Sequence, residues 1–175
     1  MTRIAFIGLG HMGGGMAANQ ARAQHQVRAF DLSAAALERA EAAGCHPAAL
    51  VAEAVKDAEI VITMLPAGQH VRDVYIKDVI PNAPTSALLI DCSTIDVESA
   101  KAVGAAAAAA GFRFADAPVS GGVAAAEAGT LTFMVGCADA DFAAVETTLK
   151  PMGDQCLPRT ERPVDPDQHR GEAIQ

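Results

Sequence analysis

Residues 3–13 of the chain, RIAFIGLGHMG, determine how the rest of the sequence is read. Four of the first five residues are apolar and two of them are isoleucines, which is typical of a buried parallel strand. The apolar run ends at Gly8, and a helical pattern begins near His11. Gly8, Gly10 and Gly13 therefore fit G-x-G-x-x-G between a strand and a helix, the pattern of a dinucleotide-binding turn.

Each glycine of this turn has a separate physical task. Gly8 permits the sharp turn, Gly10 lets a pyrophosphate approach the backbone, and Gly13 lets the helix pack against the strand. The N-terminus of the helix then offers free N–H groups and partial positive charge to phosphates. The sequence therefore predicts a cofactor-binding turn made of Gly8, Leu9, Gly10, His11, Met12 and Gly13.

Asp31 supplies the second half of the pattern. It ends a predicted strand over residues 26–30 and follows Gly8 by 23 residues, close to the usual offset of about 20. A carboxylate at this place accepts the ribose hydroxyls of adenosine and repels a 2′-phosphate, so it favours NAD over NADP. The alternative is an ordinary aspartate at a strand end that caps the next helix.

The composition narrows the class of protein. The chain has 175 residues, of which 51% are hydrophobic, enough for one domain or slightly more. Its formal charge of −8 argues against a nucleic-acid partner. No apolar run is long enough to cross a membrane, and no signal peptide precedes the first strand. Four scattered cysteines lack metal-binding spacing, so we expect no metal site and reduced thiols in a cytoplasmic protein.

Strand and helix patterns alternate along the chain. Predicted strands lie at residues 3–7, 26–30, 45–46, 60–65, 88–91, 112–117 and 131–135. Predicted helices follow near residues 11–21, 34–43, 50–55, 69–75, 96–110 and 139–149, with loops around Pro81 to Pro84 and over Pro118 to Gly129. This alternation predicts an α/β fold of the Rossmann-like, doubly wound kind, with a mostly parallel sheet and helices on both faces.

Ligands of such sheets bind beyond the carboxyl ends of the strands. The predicted strand ends carry the glycine turn, Asp31, Leu65-Pro66, Ser93-Thr94 and residues 117–122. We therefore expect these segments to meet at one crevice.

Four blocks carry a resemblance to a known family. They are GLGHMG at 8–13, TMLPAGQHV at 63–71, DCSTID at 91–96, and DAPVSGG at 116–122 continuing to GTLT at 129–132. With these blocks, residues 1–153 resemble the N-terminal domain of the β-hydroxyacid dehydrogenases. The AGQH form at 67–70 is most similar to bacterial 3-hydroxyisobutyrate enzymes, rather than to relatives acting on tartronate semialdehyde, glyoxylate or 6-phosphogluconate.

The resemblance implies a specific activity. It implies NAD-dependent oxidation of 3-hydroxyisobutyrate to methylmalonate semialdehyde in valine breakdown, by enzymes that form oligomers. It further implies that backbone groups of Leu65 and Pro66 line the adenosine side and ribose of the cofactor, and that Thr94 lies beside the nicotinamide ribose. Ser120, Gly121 and Gly122 would hold the carboxylate of a small hydroxyacid substrate. Glycines suit this task because they let backbone N–H groups approach an anion closely.

The resemblance stops at Gly153. The family continues into an all-helical domain that carries a catalytic lysine, and residues 154–175 do not match it. We therefore predict an NAD-binding domain over 1–153, a disordered tail over 154–175, and no catalytic residue in the chain. None of Lys56, Lys77, Lys101 or Lys150 is a convincing replacement for the family lysine.

Three functions follow from this pattern. The resemblance implies a 3-hydroxyisobutyrate dehydrogenase that is inactive by itself for want of the lysine domain. Alternatively, the chain is an NAD-binding module or non-catalytic remnant. It could also belong to a related enzyme, such as a tartronate semialdehyde or glyoxylate reductase.

Overall fold

The computed structural model describes residues 1–159. Its strands are β1 Arg3–Ile7, β2 Gln26–Phe30, β3 His46–Pro47, β4 Ile60–Thr63, β5 Leu88–Asp91, β6 Arg113–Asp116, β7 Val119–Ser120, β8 Leu131–Val135 and β9 Gly153–Pro158. Its α-helices are α1 Gly13–Arg22, α2 Ala34–Ala42, α3 Val51–Val55, α4 Gly68–Val74, α5 Ile80–Asn82, α6 Val97–Ala109, α7 Gly122–Ala128 and α8 Phe142–Leu149. A π-helical turn over Tyr75–Val79 joins α4 to α5.

The strands form two sheets. The larger is fully parallel with the order β3-β2-β1-β4-β5-β6, and the smaller has the order β7-β8-β9. In the smaller sheet β7 pairs antiparallel with β8, and β8 pairs parallel with β9. The predicted doubly wound, mostly parallel fold is confirmed.

Alternate residues of β1 point to opposite faces of the large sheet. Ile4 and Phe6 join one apolar cluster, whereas Ala5 and Ile7 join a second. Helices α1, α2 and α8 contribute to the first cluster, and α3, α4 and α6 contribute to the second. Both faces are therefore covered, which is why the strands read as continuous apolar runs.

Two predicted element boundaries are wrong. The helix expected at 69–75 continues through the π-helical turn and α5, so Pro81 lies in a helix rather than a loop. Pro81 follows the π-helical turn closely, and the helix ends one residue after it, at Asn82. The loop expected over Pro118 to Gly129 instead contains β7 and α7. Its alanines form a helix that ends at Gly129, which has the left-handed conformation.

The predicted start of the disordered tail is also wrong. Residues 153–158 form β9, which pairs along the whole of β8. The backbone N–H of Arg159 donates to the Val135 carbonyl at 2.8 Å, and its guanidinium forms a 2.7 Å ion pair with Asp116. The predicted domain boundary at 153 therefore moves to at least Arg159, and the rest of the predicted tail lies outside the described residues.

Two kinds of feature are absent from residues 1–159. No helix among them is long and apolar enough to cross a bilayer. No group of three or more His, Cys, Asp or Glu side chains within this part of the chain is arranged to hold a metal ion. All four cysteines are free thiols.

Candidate functional site

The glycine turn follows β1 at the middle of the large sheet, where the strand order reverses direction. Gly8 has a φ of +99°, and a Cβ placed on it would collide with the Met64 carbonyl. A Cβ on Gly13 would collide with the Gly8 carbonyl in the same way. A Cβ on Gly10 would meet no atom within 4 Å. Two of the glycines are thus required by the fold, and the third borders open space.

The N-terminus of α1 opens onto this turn. The helix begins at Gly13, and no side chain caps it at Met12. Gly14 donates its N–H to the Gly10 carbonyl at 3.1 Å, and the N–H groups of Gly13 and Gly15 have no backbone partner within the described residues. They carry partial positive charge and are suited to bind phosphate oxygens.

Asp31 is fixed against the turn by backbone groups. Its Oδ2 accepts the N–H of Leu9 at 2.7 Å, and its Oδ1 accepts the N–H of Ser33 at 2.8 Å. A carboxylate has about four lone-pair sites, so each oxygen can accept one bond more. The side chain is thus oriented, and it retains acceptors for two ribose hydroxyls.

An open cleft of about 850 Å³ joins these groups. Four of the predicted cofactor residues border it together with residues in or next to α1, α2 and α7. The lining residues are Leu9, Gly10, His11, Gly14, Gly15, Ala18, Arg22, Asp31, Ser33, Ala36, Arg39, Ala40, Ala43, Val123 and Glu127. The residues present fit a dinucleotide, because the cleft combines a capless helix N-terminus, a glycine bordering empty space and an oriented carboxylate.

Backbone bonds hold the neighbouring strand ends level with the turn. Met64 donates its N–H to Ile7 at 2.9 Å, Cys92 donates to Thr63 at 2.8 Å, and Ala117 donates to Asp91 at 2.7 Å. The segments predicted to meet at the carboxyl edge are therefore adjacent along that edge.

A buried polar network lies beneath the loops after β4 and β5. Asp91 Oδ1 accepts the Thr63 hydroxyl at 2.8 Å, the Ser93 hydroxyl at 2.6 Å and the Ser93 N–H at 3.1 Å. The hydroxyl of Tyr75 lies 2.8 Å from Thr63 Oγ1, and the N–H of Leu65 donates to Ser93 Oγ at 2.8 Å. Burial raises the pKa of Asp91 to about 6 and the pKa of Tyr75 well above its usual value.

Thr94 lies in a second cavity, of about 490 Å³. The cavity runs between α6 and the outer edge of the sheet, and Pro118, Lys101, Asp116 and Arg159 also line it. Thr94 therefore borders a different cavity from the glycine turn and Asp31. Lys101 borders the same cavity as Thr94, which its place in a helix did not indicate.

Ser120, Gly121 and Gly122 form an exposed corner between β7 and α7. Gly121 and Gly122 have φ values of +135° and +75°, which few other residues adopt. The next residue, Val123, borders the first cleft together with His11. The predicted substrate corner thus lies beside the predicted cofactor turn.

The packing of α7 on α1 holds that corner in place. A Cβ on Gly15 would lie 3.1 Å from the backbone of Ala126, so the two helices are in close contact. Asn19 of α1 donates to the carbonyls of Ala126 and Glu127 at 2.9 and 3.3 Å.

Sequence reasoning gave no role to Thr63, Tyr75, Asp91 or Asn19. Thr63 and Asp91 are paired in register on neighbouring strands, a relationship between distant segments. The one available signal was a polar residue at the end of each of two apolar strands.

A parallel sheet with this strand order, a glycine turn at its reversal point and an acidic residue ending β2 defines a dinucleotide-binding domain. Comparison with known protein families supports this assignment. The family described as the NAD binding domain of 6-phosphogluconate dehydrogenase matches residues 3–160, and the chain belongs to it. The chain is an NAD-binding domain, as the turn and Asp31 predict.

The most similar relatives include 3-hydroxyisobutyrate dehydrogenases. The enzyme of that name from Pseudomonas aeruginosa is 48% identical over 155 residues, 87% of this chain and 52% of the relative. An NAD-dependent L-serine dehydrogenase from the same organism is 48% identical over 138 residues, 78% of this chain and 46% of the relative. The predicted resemblance to the N-terminal part of the 3-hydroxyisobutyrate dehydrogenases is confirmed.

A solved structure extends the likeness to three dimensions. The 3-hydroxyisobutyrate dehydrogenase from Mycobacterium tuberculosis with L-serine is 44% identical and superposes with a TM-score of 0.88, over 90% of this chain and 54% of that one. The chain spans about half the length of the curated relatives it matches.

Proposed function

We propose that this chain is the NAD-binding half of an oxidoreductase that oxidises 3-hydroxyisobutyrate to methylmalonate semialdehyde. The cleft with its oriented Asp31 carries the cofactor part of the proposal, and the relatives' names carry the substrate part. We place the reaction in valine breakdown in the cytoplasm.

The residues of the glycine turn hold the cofactor. Gly10 leaves room for the pyrophosphate, the first turn of α1 donates N–H bonds to it, and Asp31 accepts the adenosine ribose hydroxyls. Leu65, Pro66 and Thr94 contact the remainder. When bound, NAD supplies an acceptor for the hydride that leaves the hydroxyl-bearing carbon.

The substrate class follows from two relatives together. 3-Hydroxyisobutyrate and L-serine are both small acids with a hydroxyl on the third carbon. On the second carbon, 3-hydroxyisobutyrate carries a methyl group and L-serine carries an ammonium group. The shared carboxylate is what Ser120, Gly121 and Gly122 bind in the proposal, through one hydroxyl and backbone N–H groups.

The polypeptide of these 175 residues binds NAD with negligible turnover in this proposal. Removing the hydroxyl proton needs a positioned base, which typically contributes 10²–10⁴-fold. The relatives' second half is not matched by these residues. Two lysines in the described part of the chain have a defined place. Lys77 forms a 3.3 Å ion pair with Asp73, whereas Lys101 borders the Thr94 cavity and is therefore the lysine to test as a replacement base.

Turnover assays test the activity. The purified chain is mixed with NAD and one of four hydroxyacids: 3-hydroxyisobutyrate, L-serine, glycerate (the reduced form of tartronate semialdehyde) or glycolate. NADH formation is then followed. We expect no rate above the enzyme-free control. A rate of about 1–10³ s⁻¹, typical of enzymes, would contradict the missing-base argument. In that event Lys101→Met is the next variant, because it asks whether Lys101 supplies the base.

A further inference from the structure

We propose that Asp91 is a positioning residue for cofactor binding. In this proposal its buried carboxylate orients Ser93, and Ser93 holds the backbone of Leu65, so the loops after β4 and β5 keep a fixed spacing. The inference rests on the proposed roles of Leu65 and Thr94 in cofactor binding.

The hydrogen-bond directions in the network are determined by its chemistry. Leu65 N–H can only donate, so Ser93 Oγ accepts from it and directs its own proton to Asp91 Oδ1. Thr63 likewise donates to Asp91 and therefore accepts from the Tyr75 hydroxyl. The ionised carboxylate of Asp91 is thus the common acceptor that gives every hydroxyl in the network one orientation.

The buried Asp91 carboxylate costs the domain more stability than an apolar side chain at the same place would. Asp91 is fully buried, and within residues 1–159 its Oδ2 has no hydrogen-bond partner. The charged neighbour that acts on it is Asp116, which has the same sign. A buried carboxylate without a cation is unfavourable for stability, and an apolar side chain would cost less. Retaining the carboxylate there is better explained by what it orients than by stability.

The positions of the two loops show what is oriented. Leu65 is the second residue after β4, and the bond of its N–H to Ser93 spans 28 residues of sequence. Thr94 follows Ser93 directly and is exposed at the second cavity. Loss of the Ser93 bond would let the Leu65 and Thr94 loops move independently. The glycine turn and Asp31 do not depend on this bond, since Leu9 and Ser33 fix Asp31 separately.

This arrangement predicts different effects on two ligands. ADP carries only the adenosine and two phosphates and reaches the Leu65 loop at most, whereas NADH also reaches Thr94 and needs the two loops at a fixed spacing. We expect Asp91→Ala and Ser93→Ala to weaken NADH binding by about tenfold, the loss of roughly one good hydrogen-bond contact, and ADP binding by less than about twofold. Asp91→Asn, which keeps one oxygen acceptor, restores part of the NADH affinity.

Tyr75→Phe is the matched control. It removes the far end of the same buried network without touching either loop, so both affinities should stay within about twofold of the parent chain. Each variant is checked for folding by circular dichroism, and Ser93→Ala serves if Asp91→Ala does not fold. Equal weakening of both ligands, or unchanged NADH affinity in folded variants, would overturn the proposal. Failure of the unaltered chain to bind either ligand would instead overturn the proposed function.

Discussion

The backbone N–H of Leu9 donates to the Oδ2 of Asp31 at 2.7 Å, across 22 residues of sequence. The bond joins the phosphate-binding turn after β1 to the acidic end of β2. The same carboxylate also accepts the Ser33 N–H at the start of the next helix. Backbone groups of the chain therefore hold the Asp31 carboxylate in place at the adenosine end of the site.

Gly10→Ala should abolish NAD binding without destabilising the fold. The added methyl would meet no protein atom within 4 Å, and it would occupy the space through which the pyrophosphate approaches the backbone. Calorimetric titration with NAD and a thermal unfolding curve measure the two effects.

Two further glycine variants serve as controls for Gly10→Ala. Gly8→Ala should unfold the domain, because its φ is +99° and its Cβ would collide with the Met64 carbonyl. Gly104→Ala, in α6, should leave NAD affinity unchanged, since its Cβ would make only ordinary contact with Phe114 at 3.5 Å. Undiminished NAD affinity in Gly10→Ala would remove Gly10 from the site.

Asp31→Ala should lower the affinity for NAD and reduce the preference for NAD over NADP. The variant loses the acceptor for the ribose hydroxyls and the negative charge that repels a 2′-phosphate. It also leaves the N–H groups of Leu9 and Ser33 without their partner, so Asp31→Asn, of the same shape, is compared with it. Affinities for NAD and NADP are measured side by side, and an unchanged ratio would exclude Asp31 from recognition.

Asp91 should make the domain less stable as the pH rises from about 4 to 6. Its carboxyl keeps its proton up to about pH 6 in the folded chain, whereas the ordinary value is 3.8. The unfolded chain therefore releases this proton first, and a shift of about two pH units corresponds to about 3 kcal/mol.

Asp91→Asn removes this titration. The free energy of unfolding of the parent chain should thus fall by about 3 kcal/mol relative to the variant between pH 4 and pH 7. Urea denaturation at each pH measures it. Parallel pH profiles for the two proteins would show that the folded carboxyl titrates normally.

Asn19→Ala should lower the free energy of unfolding by about 1–3 kcal/mol, because it removes the donor to one buried and one partly buried carbonyl at the end of α7. Asn82→Ala is the control, since Asn82 makes one exposed bond to the Asp78 carbonyl and should cost less than about 0.5 kcal/mol. Equal losses in the two variants, measured by urea denaturation, would contradict the role given to Asn19.

The sequence predicted best those elements whose signals are local. The strand at Leu88–Asp91 and the glycine turn were readable because apolar runs and glycine spacing lie within a few residues. The loop predicted over Pro118 to Gly129 is wrong, because the small residues that indicated a loop include alanines that form α7 against α1. Its close approach to Gly15 is a tertiary contact that no local pattern contains.

Strand β9 was missed for a similar reason. Residues 153–158 lack an apolar period and end in proline, which argues against a central strand. The strand is at the edge of the smaller sheet, where only β8 needs to be bonded, so a proline at its end is tolerated. The Asp91 network could not be predicted from the sequence, because it depends on the register that places Thr63 of β4 opposite Asp91 of β5.

Titration of the purified chain with NAD in a calorimeter tests the central claim most directly. The account predicts saturable one-to-one binding that is weak but measurable, that Gly10→Ala abolishes, and that exceeds the binding of NADP. Absence of any heat of binding from a chain shown to be folded, or equal affinity for NAD and NADP, would contradict it.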